Sequence, residues 1–528
     1  MDINKINLFI NTIIYLKPIQ IYYRIYYFVR NKIFGYNLST KTFSNSNSIS
    51  WKNTLRNNNS YINKKNTFTF LNISYSFLKK IDWNYNGFGK LWLYNLNYFD
   101  FLNQKNISKE TGIILIKDFI NNNIFLKEGK EPYPISVRGI NWVKFLSSNN
   151  IKNKLINNIL YNHYCILFKN FEYHLLGNHL LENGFSLLFG AYYFQDEKFY
   201  IKSKNLLLSE LDKQLMKDGA HFELSPMYHQ IILSRLLDSI RLIELNSSWK
   251  KNDLILFLKQ KASLMITWLN NITYNNGSIP MVNDATFNIA PNSSDLFHYA
   301  KKLGIKSQYI PLSDSGYRKV KCNNYELFID VGNIGPSYQP GHAHSDTLNF
   351  ELSKDNKPII VDKGISTYNN NYIRQIERST QSHNTVKIGS KEQTQVWGGF
   401  RVAKRAKIIS LSEKNNCIKA THDGYLRDGF SHERSFIWSE NELIIKDKIS
   451  KSTENKAIAF FHLHHSIPKP IINNKRVIIK SLGISIEYDG AIDINIDNYK
   501  LSVGFNKTRS ASVIKIVFNQ YLNTKILL

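Results

Sequence analysis

Cysteine is scarce in this sequence, and the few cysteines lie far apart. Cys165, Cys322 and Cys417 are the only three in 528 residues, and no two of them form a C-x-x-C pair. An odd, sparse set argues against a disulfide framework and against a zinc site with thiolate ligands. The sequence therefore predicts neither kind of cross-link.

Long apolar runs are also missing from the N-terminal segment MDINKINLFINTIIYLKPIQIYYRIYYFVRNKIFGY. Asn11, Lys17, Gln20 and Arg24 interrupt its apolar stretches, so the segment predicts neither a signal peptide nor a membrane span. A basic amphipathic helix fits the pattern better. We expect this helix to pack on the domain, with contact to a membrane surface as the alternative.

Acidic residues are few relative to basic ones. The chain has 41 Asp and Glu against 68 Lys and Arg, which gives a formal net charge of +27. Such a surplus favours acidic partners: nucleic acid, anionic lipid or an acidic polysaccharide. The basic residues are scattered and no nucleic-acid-binding module is recognisable, which argues against nucleic acid. Part of the lysine excess accompanies the abundant Asn and Ile of the whole chain.

The remaining composition is that of a folded protein with more than one domain. Hydrophobic residues at 43% and charged residues at 21% exclude a disordered chain, and 528 residues predict two large domains. Between about residues 107 and 303, apolar residues recur every three or four residues, which predicts helices arranged as antiparallel hairpins. From about 325 the period is two, which predicts a large antiparallel sandwich. We therefore predict a helical N-terminal extension at 1–85, an α domain at 86–315 and a β domain at 316–528.

The stretch GNHLLENG, residues 177–184, places polar groups in an apolar helix. Asn178 precedes Glu182 by four residues and His179 precedes it by three, so these polar groups are expected on one helix face. A solvated face or a satisfied buried network is the alternative interpretation of this stretch.

The stretch DGAHFELSPMYHQ contains a strong helix start, with Ser225 as the N-cap and Pro226 in the first helical position. Tyr228 then falls in the first turn, near free backbone N–H groups. That place suits recognition of a carboxylate, and we expect it to make the phenol more acidic. Packing at a helix start is the alternative.

The stretch GHAHSDTLNFELSKDNKPIIVDKG has residues that indicate a metal site or an active site. His342 and His344 are two apart on an extended segment, so they can point together at one ligand, and Asp362 can return to them across a hairpin. A third partner would then come from elsewhere in the chain. His344, Asp362 and His383 also form a set of nitrogen and carboxylate donors that suits zinc or a similar divalent ion. A hydrogen-bonded surface pair is the alternative, and the HLHH of residues 462–465 is expected in the core or at an interface.

Together these motifs resemble the heparinase II/III-like polysaccharide lyases, which have an (α/α) toroid followed by an antiparallel β-sandwich domain. The resemblance covers most of the chain and rests on seven motifs in the same order. They are LWLYNLNYFDFL (91–102), EPYPISVRGINWVKFL (131–146), GNHLLENG, DGAHFELSPMYH, GHAHSDTLNFEL, RSTQSHNTV and EQTQVWGGFRVAKRAK (392–407).

The resemblance implies roles for matching residues. The implied catalytic residues are Asn178, His179, Glu182, Tyr228 and His342, and the implied ligands of a structural divalent ion, expected to be zinc, are His344, Asp362 and His383. Lys363 departs from the family pattern, in which a proline usually follows the aspartate. This difference alters the turn and retains the ligand.

The resemblance also implies the reaction: β-elimination in an acidic, uronic-acid-containing polysaccharide, for which His and Tyr are suitable acid and base groups. A hydrolase that uses Glu182 and Glu223 is one rival. A non-catalytic or hydrolytic protein of surface-polysaccharide biosynthesis is another. Family resemblance implies a periplasmic location, whereas the N-terminal segment leaves a cytoplasmic one open. Nothing in the sequence predicts an oligomeric state.

Overall fold

A computed structural model describes residues 3–34, 49–55, 58–122, 126–249, 254–452, 456–474 and 476–528. Helices dominate its first three hundred residues and strands the rest, as the change in apolar period predicts. The helices are α1 (Ile3–Ile13), α2 (Pro18–Phe34), α3 (Lys90–Tyr98), α4 (Lys109–Asn122), α5 (Pro132–Ser148), α6 (Lys154–Lys169), α7 (Gly177–Phe194), α8 (Glu197–Gln214), α9 (Pro226–Leu245), α10 (Ile255–Ile272), α11 (Ser293–Lys302) and α12 (Tyr372–Glu377).

Helix α7 lies at the centre of the helical domain. It is buried along nearly its whole length, and α5, α8 and α9 pack around it. Its apolar residues occur on every side, as expected for a helix surrounded by others. At Gly190 the absence of a side chain lets the ring of Tyr164 from α6 approach α7 closely, since a Cβ atom there would lie 2.7 Å from that ring. The packing fixes the first turn of α7, which carries Asn178 and His179.

Strands form several antiparallel sheets. They are β1 (Tyr61–Ile62), β2 (Thr67–Phe70), β3 (Ile73–Ser76), β4 (Tyr317–Lys321), β5 (Tyr325–Asp330), β6 (Phe350–Lys354), β7 (Lys357–Ile360), β8 (Val386–Ile388), β9 (Val396–Trp397), β10 (Arg401–Val402), β11 (Ile408–Lys414), β12 (Cys417–His422), β13 (His432–Trp438), β14 (Glu442–Ile449), β15 (Ala457–His462), β16 (Ile471–Asn473), β17 (Arg476–Ile479), β18 (Ile484–Gly504) and β19 (Lys507–Leu527).

Two of these sheets form the predicted sandwich. One has the order β4-β5-β6-β7, and the other β11-β12-β13-β14-β19-β18-β17-β16, with β15 joining β19 to β8. Phe350 of the first sheet packs its ring 5.8 Å from Phe436 and 6.0 Å from Phe461 of the second. Alternating inward residues of both sheets share one buried cluster, as in other β-sandwiches.

The two domains also share core residues at their junction. Tyr317 and Phe328 of the first β-sheet belong to the hydrophobic cluster of the helical domain. The Tyr317 hydroxyl donates to the Leu224 carbonyl oxygen at 2.6 Å, and its ring lies 6.1 Å from Trp268 of α10. This buried contact holds the sandwich against the helices and fixes both walls of the cleft between them.

The predicted helical extension is correct for α1 and α2 and wrong for residues 61–76, which form the sheet β1-β2-β3. Phe68 of β2 packs on Trp83 and on Phe101 of the helical domain, so tertiary burial acts together with the preference of Thr, Phe, Ile and Tyr for strands. Within 462–465, His462 is buried as predicted, whereas His465 is exposed. Among the described residues, no helix is sufficiently long and apolar to span a membrane.

Candidate active site

A cleft of about 1230 Å³ lies between the helical domain and the β-sandwich. Both domains contribute to its walls. Four of the five predicted catalytic residues line it, namely Asn178 and His179 from α7, Tyr228 from α9 and His342 from the β domain. The structure therefore brings together residues that are up to 164 positions apart in sequence.

Asn178 is held in place by the carboxylate of Glu223. The backbone N–H of Asn178 donates to Oε1 of Glu223 at 2.9 Å, and its side-chain amide donates to Oε2 at 2.7 Å. The preceding residue, Gly177, has a φ of +58°, and a Cβ atom there would lie 2.3 Å from Oε1. Glycine is thus required for the close approach. The Asn178 amide nitrogen also lies 3.3 Å from Nε2 of His342.

Glu223 acts here as an anion. Burial raises the pKa of its carboxyl, but His221, His342 and the hydrogen bonds from Asn178 outweigh burial and lower the pKa below its usual value. Both of its oxygens are engaged with Asn178. Glu223 is therefore placed to orient the side-chain amide of Asn178.

His342 and His344 both contact one carboxylate, which is that of Asp284 and not the expected Asp362. His342 Nδ1 lies 2.8 Å from Oδ2 of Asp284, and His344 Nε2 lies 2.9 Å from Oδ1. Sequence reasoning missed Asp284, because it comes from a loop after α10 with no period or motif of its own. The only signal for such a residue is the expectation that His342 and His344 need a third partner from elsewhere in the chain.

Asp284 is fully buried and paired with Arg374. The guanidinium donates to both carboxylate oxygens, at 2.5 and 2.7 Å. Burial raises the pKa of the Asp284 carboxyl, but Arg374 and the two histidines outweigh it and hold the pKa well below its usual range. An ionised carboxylate only accepts hydrogen bonds, so the ring nitrogens that face it carry the protons. His342 Nε2, which faces Asn178, is then left with its lone pair.

Tyr228 stacks on His342. Their ring centroids are 4.0 Å apart, and the Tyr228 hydroxyl lies 3.3 Å from the hydroxyl of Tyr368. The predicted N-cap is present, since the Tyr228 N–H donates to Ser225 Oγ at 3.3 Å. The expected acidic phenol is wrong, because burial raises the pKa of Tyr228. Tyr228 therefore keeps its proton at neutral pH and can act as an acid.

His179 is half-buried at the cleft wall. Its Nδ1 lies 3.1 Å from Glu172 Oε1, and its ring lies 4.6 Å from the ring of Tyr133. Burial lowers the pKa of His179, but the Glu172 carboxylate outweighs this effect and raises the pKa above its ordinary value. His179 is thus more basic than a free histidine at a place where an anionic group of a ligand would bind.

Glu182 lies behind the cleft wall. Its side chain is buried and accepts a hydrogen bond at 2.8 Å from Nε of Arg235, which does line the cleft. Burial raises the pKa of Glu182, with Arg235 acting in the opposite direction. The position of Glu182 fits support of Arg235 better than direct contact with a substrate.

The predicted metal ligands lie together in the β domain. His344, Asp362 and His383 are buried, the rings of the two histidines are 5.2 Å apart, and His383 Nδ1 lies 2.7 Å from Asp362 Oδ2. His344 Nδ1 and His383 Nε2 are buried without a hydrogen-bond partner. In the part of the chain that the structure describes, no group of three or more His, Cys, Asp or Glu side chains has a geometry that could hold a metal ion. The nitrogen and carboxylate donors are of the types that bind a divalent ion. In this structure, however, the Asp362 carboxylate contacts His383 and does not form a metal-binding group with both histidines.

Lys363 follows Asp362 without disturbing its carboxylate. Asp362 Oδ1 accepts from the Gly364 N–H at 3.0 Å, and Oδ2 accepts from the Asn349 amide at 2.7 Å. Gly364 has a φ of +64°, which glycine adopts without strain. The turn is therefore formed without a proline.

Two family models match the chain. The heparinase II/III N-terminus model matches residues 135–302, and the heparinase II/III-like C-terminal model matches residues 305–524. These two regions contain every predicted site residue.

Curated relatives are distant. A heparin-sulfate lyase of Bacteroides thetaiotaomicron is 22% identical over 293 residues, which are 47% of this chain and 40% of that protein. A heparin-sulfate lyase of Bacteroides stercoris is 22% identical over 332 residues, which are 58% of this chain and 48% of that protein. The matched part of the chain thus spans less than half the length of each relative.

Solved structures show the same fold. A heparinase III structure is 17% identical with a TM-score of 0.64, and the match covers 97% of this chain and 92% of that one. A chondroitin AC lyase of Streptomyces coelicolor is 7% identical with a TM-score of 0.52 over 82% of this chain and 74% of that one. These likenesses confirm the predicted architecture of a helical toroid followed by a β-sandwich.

Proposed function

Because the chain belongs to the heparinase II/III-like family, we propose that it is a polysaccharide lyase that cleaves a uronic-acid-containing polysaccharide by β-elimination. One observation carries the proposal: Asn178, Tyr228 and His342 meet at one point of the cleft. The Asn178 amide lies 3.3 Å from His342 Nε2, and the Tyr228 ring lies 4.0 Å from the His342 ring. An amide donor, a base and an acid are what an elimination next to a carboxylate needs.

The first requirement is to stabilise the substrate carboxylate while C5 loses its proton. Negative charge builds up on the carboxylate in that step, and fixed donors stabilise it most effectively. Asn178 supplies an amide that Glu223 holds in place, and His179 is made more basic than a free histidine by Glu172. Both are consecutive residues of α7 and line the cleft, where the substrate carboxylate would bind.

The second requirement is a base. His342 Nε2 carries the lone pair when Asp284 holds the proton on Nδ1, and it lies 3.3 Å from the Asn178 amide at the cleft wall. We assign to Nε2 the removal of the C5 proton. The Asp284 carboxylate then stabilises the imidazolium that forms, as a buried carboxylate does for a catalytic histidine.

The third requirement is an acid for the leaving oxygen. The C5–H electrons form the C4–C5 double bond, and the C4–O bond breaks with its electrons on the oxygen. Tyr228 has a raised pKa and keeps its proton, so it is suited to protonate that oxygen. The enzyme resets when His342 releases its proton and Tyr228 regains one. No water enters the product.

Hydrolysis has less support from the same geometry. A glycosidase needs two carboxyl groups that face the scissile bond. Glu223 is bonded twice to Asn178, and Glu182 is bonded to Arg235 behind the wall. Neither carboxyl group is placed to attack a sugar or to activate water.

We extend the proposal to a structural divalent ion, expected to be zinc. His344 and His383 would bind it through the buried ring nitrogens that lack a partner, and Asp362, which now contacts His383 Nδ1, would have to turn toward the ion to complete the set. The ion would join three chain segments of the β domain and order the wall that carries His342. Elimination does not consume water, so the ion has no required chemical step.

The proposed substrate is an acidic polysaccharide of the glycosaminoglycan class. The curated relatives are named heparin-sulfate lyases, and cationic groups line the cleft, among them Lys90, His179 and Arg235. The surplus of basic residues over the whole chain also favours a polyanion.

The test is incubation of the purified protein with a panel of heparan sulfate, heparin, chondroitin sulfate and alginate. The unsaturated uronate product absorbs in the ultraviolet, so elimination is followed directly, and reducing ends are counted in parallel. We expect both signals to rise together for at least one polymer and to be lost in His342→Ala. Reducing ends without the ultraviolet signal would establish hydrolysis, and no new ends on any polymer would favour a non-catalytic role.

A further inference from the structure

Helices α1 and α2 expose their apolar residues instead of burying them. We define the outer apolar face as Phe9, Ile10, Ile21, Ile25, Phe28 and Ile33, all of which are exposed. Ile25 is 60% exposed and Phe28 is 67% exposed. A surface helix normally turns such residues toward the core. An apolar face of this extent marks a site of contact with another apolar phase.

The inner side of α2 is polar and aromatic. Gln20 is fully buried and donates to Gln339 Oε1 at 2.9 Å and to the Leu175 carbonyl at 3.3 Å. Tyr23 stacks at 4.6 Å on Tyr173, while Tyr27 donates at 2.6 Å to a backbone carbonyl of the same loop. Specific polar contacts thus fix the orientation of α2, and the outer apolar face is held outward by them.

The charged residues of α1, α2 and the turn between them are all basic. Between residues 3 and 34 the sequence has five Lys and Arg and no Asp or Glu. On the helices themselves, Lys5 and Lys32 are exposed beside the apolar residues. Tyr22 and Tyr26 are exposed on the same helices, at 61% and 42%. Apolar, tyrosine and basic residues in one surface are typical of a helix that lies in the headgroup region of an anionic membrane.

The same charges disfavour a second copy of the chain as the occupant. A symmetric dimer through this face would place the same patch against itself, so the basic residues of α1 and α2 would face their own copies with no acidic residue on these helices to pair with. Spanning a membrane is also not supported, because neither helix is long and apolar enough.

We propose that the outer apolar face of α1 and α2 is a docking surface for an anionic lipid membrane. The face would enter the boundary between headgroups and acyl chains, and the basic residues would contact lipid phosphates. Leu175 and Gln339, which Gln20 contacts, also line the cleft. Docking would therefore set the cleft entrance at a fixed orientation to the membrane surface. The inference does not depend on the proposed lyase activity.

The experiment measures binding of the full-length protein to vesicles by co-sedimentation. The vesicles contain phosphatidylcholine alone or phosphatidylcholine with phosphatidylglycerol. The test variant is Ile25→Ser with Phe28→Ser, and the matched control is Ile409→Ser with Leu411→Ser on β11, where the side chains are 56% and 41% exposed. Both double variants keep the net charge, so unspecific attraction of a basic protein to anionic lipid is the same in each.

We expect binding to the phosphatidylglycerol vesicles, weaker binding to phosphatidylcholine alone, and an affinity that falls at least about 10-fold in the α2 variant. The control variant should bind like the wild type. Equal affinity of both variants and the wild type would overturn the proposal, because the attraction would then be unspecific. Equal binding to both kinds of vesicle would overturn the anionic preference.

Sedimentation velocity without lipid tests whether a second copy of the chain occupies the outer apolar face. A concentration-dependent dimer of the wild type that the α2 variant abolishes would assign the face to self-association and overturn the proposal. A monomer at all concentrations supports it. Unchanged thermal unfolding of the α2 variant shows that its loss of binding is not loss of fold.

Discussion

Oδ2 of Asp284 lies 2.8 Å from Nδ1 of His342, and this contact determines which nitrogen of the histidine faces the cleft. The other oxygen of the same carboxylate contacts His344 at 2.9 Å. One buried anion thus orients the proposed base and, two residues later, a proposed metal ligand. The proposed base and the proposed metal ligand are therefore linked through this single side chain.

Asp284→Asn should lower turnover by about 10²-fold or more while substrate binding changes little. The amide can donate a hydrogen bond to Nδ1, which favours the tautomer with the proton on Nε2 and removes the lone pair that a base needs. The measurement is the rate of ultraviolet product formation at saturating substrate. Turnover near the wild-type value would remove Asp284 from the mechanism.

A matched control is Asp447→Asn. Asp447 is equally buried and contacts His432 and Arg434, each at 2.7 Å, but it belongs to the β-sandwich and does not line the cleft. The Asp447→Asn substitution should lower the stability of the protein without a comparable loss of turnover in the folded protein. The two variants together separate a defect in the site from the general cost of disturbing a buried ion pair.

Tyr228→Phe should lower turnover by about 10²-fold or more with the fold intact. The phenylalanine ring can keep the stacking on His342, so only the proton donor is lost. Tyr368→Phe is the control, because it removes the hydroxyl that lies 3.3 Å from that of Tyr228. A smaller effect is expected there. If Tyr228→Phe retains near-normal turnover, the acid must be another group.

His179→Ala should also lower turnover by about 10²-fold, since the positive charge opposite the substrate carboxylate is lost. Glu182→Gln should instead raise KM with a smaller effect on kcat, because Glu182 acts through Arg235. Steady-state kinetics of the two variants on one polymer separate the two roles. A selective loss of kcat in Glu182→Gln would restore Glu182 as a participant in the reaction.

Much of the site could be predicted from local sequence, because its residues are at helix starts and in one extended segment. Ser225 and Pro226 specify where α9 begins, and that start places Tyr228. The spacing of His342 and His344 predicts that the two share a partner, but it does not identify Asp284 as that partner. Apolar periods also predict the order of the two domains.

Other parts depend on contacts that no local pattern encodes. Asp284, Tyr368 and Arg374 come from loops and the short helix α12, and each acquires its role only when the two domains meet. The sheet β1-β2-β3 has strands of two to four residues among Asn and Lys, so periodicity was too short to indicate it. Burial of Phe68 against the helical domain stabilises it instead.

Wild-type protein should contain about one divalent ion per chain, and His383→Ala should contain far less. Histidine must be neutral to bind a metal, so occupancy should fall as the pH is lowered through the imidazole range. Elemental analysis after dialysis measures the ion, and thermal unfolding with and without a chelator measures its effect on stability. His465→Ala, at an exposed histidine, is the control. A metal-free wild type with full activity would exclude the structural ion.

The ion pair of Asp447 gives a prediction for stability in acid. Burial raises the pKa of the Asp447 carboxyl, but Arg434 and His432 outweigh it and lower the pKa below its usual value. Because the pKa is lower in the folded than in the unfolded chain, the stabilisation is complete above the unfolded value of about 3.9. It is lost as the pH falls through the lower, folded pKa.

Asp447→Asn should therefore reduce the free energy of unfolding by about 3–5 kcal/mol near neutral pH, the usual cost of breaking a buried pair. The difference from the wild type should stay constant from neutral pH down to about pH 4 and shrink below it. Urea unfolding at a series of pH values measures both curves. A difference that stays constant in strong acid would mean that the Asp447 carboxylate is not the source of the stabilisation. The cause would then be the packing of the side chain, which titration does not alter.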